Sequence, residues 1–73
     1  MATLDGEISV NQIGEASGVI WKLLDQHGPL TVAKLARQSE LSRDAVAMAI
    51  GWLAREDKIE ICDTKRGRVI SLR

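Results

Sequence analysis

Lys65, Arg66 and Arg68 place three cations within four positions around Gly67. On a protruding hairpin such a cluster can straddle a phosphate backbone or reach into a minor groove. Lys34 and Arg37, further up the chain, offer additional phosphate contacts. Ser42 and Arg43 pair an adaptable hydroxyl with a guanidinium suited to the edge of a guanine. Cations in this number would make association with a polyanion steeply salt dependent. Each also has an ordinary explanation, because exposed turns favour charge for solubility and for protecting strand edges.

A second constellation is apolar. Ala47, Met48 and Trp52 beside the gap at Gly51 have the make-up of a deformable patch of the kind partner proteins use. Trp is also enriched at binding hot spots. The competing expectation is that Trp52 tucks against the first helix as core. With only two aromatic residues in the chain, both Trp52 and Trp21 are expected to be buried. Gly14 and Gly18, four apart, clear a stripe along which another backbone can approach. In a soluble chain that motif points to packing within the domain before it points to a dimer seam.

No catalytic set emerges. His27 falls near the end of a predicted helix, where a partial positive charge suits the dipole, and no nucleophile pairs with it. Cys62 has no nearby cationic activator suggested by the sequence. Glu56 and Asp57 are adjacent and read as solvated carboxylates, and the glycines are too scattered for a phosphate loop. One Cys with one His falls short of a structural zinc site, and a single Cys closes no internal disulfide. The reading is therefore no enzyme, no cofactor and no metal.

The elements that must carry these residues are few. Seventy-three residues can bury one small core. A hydrophobic share of 45% and a charged share of 27% are globular values. No apolar run approaches the ~18 residues of a membrane span, and no targeting pattern opens the chain, so a cytoplasmic domain without membrane contact is expected. Ten Lys plus Arg balance ten Asp plus Glu. The balance hides a split: residues 1–30 carry one cation against four acids, and residues 31–73 carry nine against six. That asymmetry hints at a polyanion facing the second part of the chain.

Periodicity gives the order of elements. Residues 1–10 read as an N-terminal tail, with Ile8-Ser9-Val10 as a candidate short strand, and 11–73 as the domain proper. Asn11 is a plausible cap for a first helix over roughly 12–27, where Ile13, Ser17, Ile20, Leu23 and Leu24 recur at three- and four-residue steps. Gly28-Pro29 ends it. Thr31 caps a short second helix reaching about Ser39. Ser42 caps a third that runs to about Glu56, with Asp44 in its first turn. The period then becomes two: Lys58–Cys62 and Arg68–Leu72 read as strands around a turn at Thr64–Gly67.

Helix, short helix, tight turn, helix and hairpin is the order of a winged helix-turn-helix, mainly α with a C-terminal β-hairpin. Ala36 is small where the second helix passes the third, Leu41 plugs the gap between them, and Val46 packs back. Glu40 stands where glycine often sits, which is tolerated if the turn avoids positive φ. In the third helix Val46, Ala49, Ile50 and Leu53 face inward. Arg43, Asp44, Ala47, Met48, Gly51 and Arg55 then face out, with Trp52 toward one flank. Of these only Arg43 is well suited to read a base.

The chain also resembles a family of small bacterial and archaeal winged helix-turn-helix proteins, largely uncharacterised. The resemblance rests on Ile13-Gly14 with Gly18 and Trp21, on Gly28 and Leu30-Thr31, and above all on the run Ala49-Ile50-Gly51-Trp52-Leu53-Ala54-Arg55-Glu56-Asp57-Lys58-Ile59. It spans roughly Asn11 to Leu72. It implies three helices plus a wing, and DNA binding by analogy with other winged helices.

Two functions follow as expectations. One is a small non-catalytic, transcriptional-regulator-like module on double-stranded DNA, using Lys34, Arg37, Ser42, Arg43, Lys65, Arg66 and Arg68. The other is a protein-interaction or homodimerisation module, using Ala47, Met48, Gly51 and Trp52.

Overall fold

In a computed structural model, which describes residues 9–73, the chain forms α1 (Val10–His27), β1 (Leu30–Thr31), α2 (Val32–Ser39), α3 (Arg43–Arg55), β2 (Ile59–Thr64) and β3 (Gly67–Leu72). Each helix starts at a side chain that satisfies a free backbone N–H. Ser9 and Gln12 form a reciprocal capping box: Gln12 N–H donates to Ser9 Oγ at 3.2 Å and Ser9 N–H to Gln12 Oε1 at 2.8 Å. Thr31 Oγ1 accepts from Lys34 N–H at 3.1 Å, and Ser42 Oγ from Ala45 N–H at 3.1 Å. Caps of this type contribute about 1 kcal/mol each.

The start of α1 departs from the sequence reading. Ser9 rather than Asn11 is the cap, and Val10 is already helical. A strand over Ile8–Val10 is excluded for Ser9 and Val10, while Ile8 lies outside the described residues. The reciprocal bonds to Gln12 favour the earlier start.

The end of α1 follows the sequence. Gly28 takes φ 80°, a backbone setting that only glycine adopts without strain, and its N–H donates to Leu24 O at 2.9 Å. Glu40, by contrast, overturns an expectation. It ends α2 at φ 61° and ψ 17°, so the turn does use a left-handed residue, and a non-glycine supplies it. Leu41 N–H donates to Ser39 Oγ at 3.2 Å and steadies the tight connection to Ser42.

The three helices and the sheet enclose one core. Ile20 and Leu24 of α1, Leu35 of α2, Val46 of α3 and Ile70 of β3 are its largest fully buried side chains. Burial is worth roughly 1.5–3 kcal/mol for each such side chain. Ala49, Ile50 and Leu53 continue the inward face of α3, and Ala36 and Leu41 pack at the edge. The sheet order is β1-β3-β2, all antiparallel. β1 adds to the elements that periodicity predicts, since two residues show no period; Leu30 and Thr31 pair with Ile70 and Val69. The hairpin closes at Thr64 opposite Gly67, leaving Lys65 and Arg66 as the two turn residues. Thr64 Oγ1 accepts from Arg66 N–H at 3.1 Å and donates to Gly67 O at 2.8 Å, locking the tip.

Candidate nucleic-acid interface

The third helix has the phase the sequence predicts. With Val46, Ala49, Ile50 and Leu53 buried, Arg43, Asp44, Ala47, Met48, Gly51 and Arg55 are left exposed. Met48 is 44% exposed. Trp52 is only half-buried, and its indole lies along α1: a methyl group on Gly14 would meet Trp52 Cζ2 at 3.8 Å. Ala47, Met48 and Gly51 are thus exposed on α3, while Trp52 is partly covered beside Gly14 of α1.

Trp21 corrects an expectation. It is 39% exposed rather than core. It follows Ile20, the centre of the buried stripe, by one residue, and ~100° of helical rotation carries it out of the core. Its neighbours Gly14, Ser17, Gly18 and Leu53 line a shallow hollow of about 290 Å3. The glycine pair does not admit a backbone. Gly14 meets an indole at van der Waals range, and a methyl on Gly18 would find nothing within 4 Å.

At the N-terminal end of α3, the Ser42 hydroxyl is already accepting from Ala45 N–H, and Arg43 beside it is exposed. Lys34 and Arg37 are exposed on α2, with Leu35 between them turned into the core. None of Lys34, Arg37 and Arg43 has an acidic partner among the described residues.

On the wing the three predicted cations separate. Lys65 and Arg66 occupy the tip, exposed and without a carboxylate partner among the described residues. Arg68 is engaged instead: it grips Asp63 with Nε 2.7 Å from Oδ1 and Nη2 3.3 Å from Oδ2. The hydrogen bond, and then the charge, of Arg68 hold the Asp63 carboxyl below the usual aspartate range. Asp63 raises Arg68 in return. Arg68 therefore does not stand as a third free cation. The sequence carried the signal, since a two-residue turn at Lys65-Arg66 places residue 63 opposite residue 68.

The base of the wing is neutralised in the same manner. Lys58 Nζ lies 3.5 Å from Glu56, and Arg73 pairs with Asp57 and, at 3.7 Å, with Glu60. Among the described residues, positive charge without an acidic partner is thus left at the wing tip (Lys65, Arg66), on α2 (Lys34, Arg37), at the start and end of α3 (Arg43, Arg55) and on α1 (Lys22), while the hairpin stem compensates its own.

Among the described residues no three His, Cys, Asp or Glu side chains gather as metal ligands, and no helix is long and apolar enough to cross a membrane. His27 is exposed in the last turn of α1. Cys62 is exposed on β2, its thiol donating weakly toward Asp63 O at 3.8 Å.

Comparison with known proteins agrees with the fold. A protein of Methanocaldococcus jannaschii, the uncharacterised MJ1608, is 39% identical over 64 residues, covering 85% of this chain and 91% of that one. The solution structure of BT2368 from Bacteroides thetaiotaomicron superposes with a TM-score of 0.77 at 32% identity, over 85% of this chain and 76% of that one. The Zα domain of Carassius auratus PKZ, solved in complex with Z-DNA, superposes with a TM-score of 0.75 at 18% identity, over 84% of this chain and 97% of that one. At that identity the last likeness speaks for the fold. Residues 8–72 match the winged helix-turn-helix domain family DUF2582, and the chain belongs to that family.

Proposed function

We propose that this domain is a non-catalytic, regulator-like module of the cytoplasm that binds double-stranded DNA chiefly through the phosphate backbone. The observation that carries the reading is the division of its cations. Seven Lys and Arg side chains lack acidic partners among the described residues. Five of them, Lys34, Arg37, Arg43, Lys65 and Arg66, belong to α2, the start of α3 and the wing tip, the other two being Lys22 on α1 and Arg55 in the last turn of α3. Lys58, Arg68 and Arg73 are spent within the hairpin stem. Free guanidinium and ammonium groups on exposed elements supply phosphate contacts that fix orientation without reading sequence.

In a helix-turn-helix the second helix of the motif enters the major groove, leading with its N-terminal residues. Here that end offers Ser42 and Arg43, followed by Asp44, Ala47 and Gly51. A single guanidinium suits one guanine, and the small residues give contact without hydrogen bonds. The reading is therefore of strong backbone and weak base recognition. A winged helix solved on nucleic acid, the Zα domain, supports the architecture as one compatible with DNA. Titration of a mixed-sequence duplex over a series of salt concentrations tests the proposal, because phosphate contacts set its slope.

The exposure of Met48 favours a protein contact as a second reading. That side chain has its neighbours on α1 and the α2–α3 turn.

A further inference from the structure

An open groove of about 820 Å3 lies between the N-terminal half of α1 and the α2–α3 turn. Ala16 and Val19 of α1, Leu41 of the turn, and Ala45 and Met48 of α3 give it an apolar lining. Val19 is 40% and Met48 44% exposed, so two large apolar side chains meet solvent in one concave surface. Apolar groups gathered in this way mark a contact surface, where scattered ones do not.

The charge around the groove has one sign. Glu15, Glu40 and Asp44 line it, and no Lys, Arg or His does. None of these three carboxylates has a salt-bridge partner among the described residues. Glu40 brings its carboxylate to the rim from a left-handed backbone position that glycine would occupy without strain. Such a surface repels phosphate and complements a cation.

We propose that this groove docks a cationic amphipathic α-helix of another protein, its apolar residues at three- and four-residue spacing and its flanks Lys or Arg. The wall from Gln12 to Val19 runs for about two helical turns, enough for two or three apolar anchors. The flexible thioether of Met48 adapts to differing anchors. The chain's own segments fit poorly. Residues 1–8 carry Asp5 and Glu7 and no Lys or Arg. A second copy would offer Lys65 and Arg66 on a hairpin tip and Lys34 and Arg37 on α2, whose apolar Leu35 is turned into its own core, while α1 and α3 set Glu15 or Asp44 close to their exposed Val19 and Met48. The groove uses none of the cations assigned to DNA but shares Ser42 and Asp44 with the major-groove end of α3, so the peptide titration is run without DNA and reads the groove by itself.

The test is a titration of the isotope-labelled full chain with a synthetic helical peptide of about 14 residues, four turns of leucine and lysine in amphipathic order. A twin with glutamate at every lysine position serves as the control. The lysine peptide is expected to bind saturably, with amide shifts confined to Gln12–Val19 and Glu40–Met48, and its twin is not. Glu40→Gly should keep the fold, because glycine suits that backbone, and weaken the lysine peptide. Adding Glu15→Gln and Asp44→Asn should bring the loss to about tenfold. Met48→Lys, at an exposed site, should weaken it as well. Equal binding of the two peptides overturns the proposal, as do shifts centred on Glu56, Asp57 and Glu60, unchanged affinity in a natively folded triple variant, or no saturable binding. A concentration-dependent dimer whose shifts fall on the same groove also overturns it, by assigning the surface to a second copy.

Discussion

Arg68 sits directly opposite Asp63 in the hairpin and grips both carboxylate oxygens, at 2.7 and 3.3 Å, so the wing presents two free cations rather than three. Releasing that clamp should add one. Asp63→Asn removes the negative charge while keeping a side chain of the same shape. It is expected to raise duplex affinity and to steepen the slope of log K against log salt by about 0.9, the value for one further phosphate. Arg68→Ala in the otherwise unchanged protein should alter the slope little. Fluorescence anisotropy over a salt series reads both; an unchanged slope in Asp63→Asn denies the clamp its role.

The same pair makes a statement about pH. Hydrogen bonding to Arg68, and then its charge, lower the Asp63 carboxyl in the folded state. A lowered folded value means the pair contributes above the unfolded aspartate pKa and is lost as pH falls through the folded value. The clamp therefore persists across the neutral range and opens only at a pH below that at which an ordinary aspartate takes up its proton. Both side chains are well exposed, so the effect on overall stability should be small. Carboxyl carbon shifts should give Asp63 a midpoint below the ordinary aspartate range, and Arg68→Gln should return it there. A midpoint indifferent to that substitution contradicts the assignment.

Glu40 holds φ 61° at the end of α2. A left-handed setting costs a residue with a Cβ roughly 1–2 kcal/mol relative to glycine. Glu40→Gly should then stabilise the domain by about 1 kcal/mol, after the greater freedom glycine gives the unfolded chain. Glu40→Ala, which keeps the Cβ, should give no such gain. Denaturant unfolding of the two variants checks this, and equal midpoints would mean that the turn carries no backbone strain.

Gly14 and Gly18 lie within α1 and have room for a methyl group, the nearest obstacle being the Trp52 indole at 3.8 Å from Gly14. Glycine inside a helix costs about 1 kcal/mol relative to alanine. Gly14→Ala and Gly18→Ala should each raise the unfolding free energy by up to that amount, with Gly18→Ala the freer of the two. Destabilisation by Gly18→Ala would show that something approaches that stripe in solution.

The legible parts of this molecule are the local ones. Thr31 and Ser42 cap helices through their own backbone neighbours, and Gly28 next to Pro29 stops α1, so residue type and position sufficed. The phase of α3 was equally plain, since Val46, Ala49, Ile50 and Leu53 repeat at helical spacing. Ser9 with Gln12 also carried a recognisable capping-box signal, but Ile8-Ser9-Val10 competed as a short strand. Harder to read were features decided at a distance. β1 exists because Ile70 and Val69 offer Leu30 and Thr31 a ladder, and two residues have no pattern of their own. Nothing about a glutamate announces positive φ, so Glu40 read as a mild irregularity.

The candidate site divides along the same line. Sequence alone identified the cations of the turn, the second helix and the start of the third. Which of them is neutralised follows only once the turn is confined to Lys65-Arg66, because that register is what sets Arg68 opposite Asp63. Trp21 shows the converse error: scarcity of aromatic residues suggested burial, while its angular position beside Ile20 turned it to solvent.

The account rests on free cations meeting phosphate, and a salt-dependent titration of a mixed-sequence duplex tests that most directly. If Lys34, Arg37, Arg43, Lys65 and Arg66 all engage, the slope of log K against log salt should approach about −4.5, and Lys65→Ala with Arg66→Ala should bring it to about −2.7. An affinity indifferent to salt, or a slope that those two substitutions leave unchanged, would contradict DNA binding through the wing.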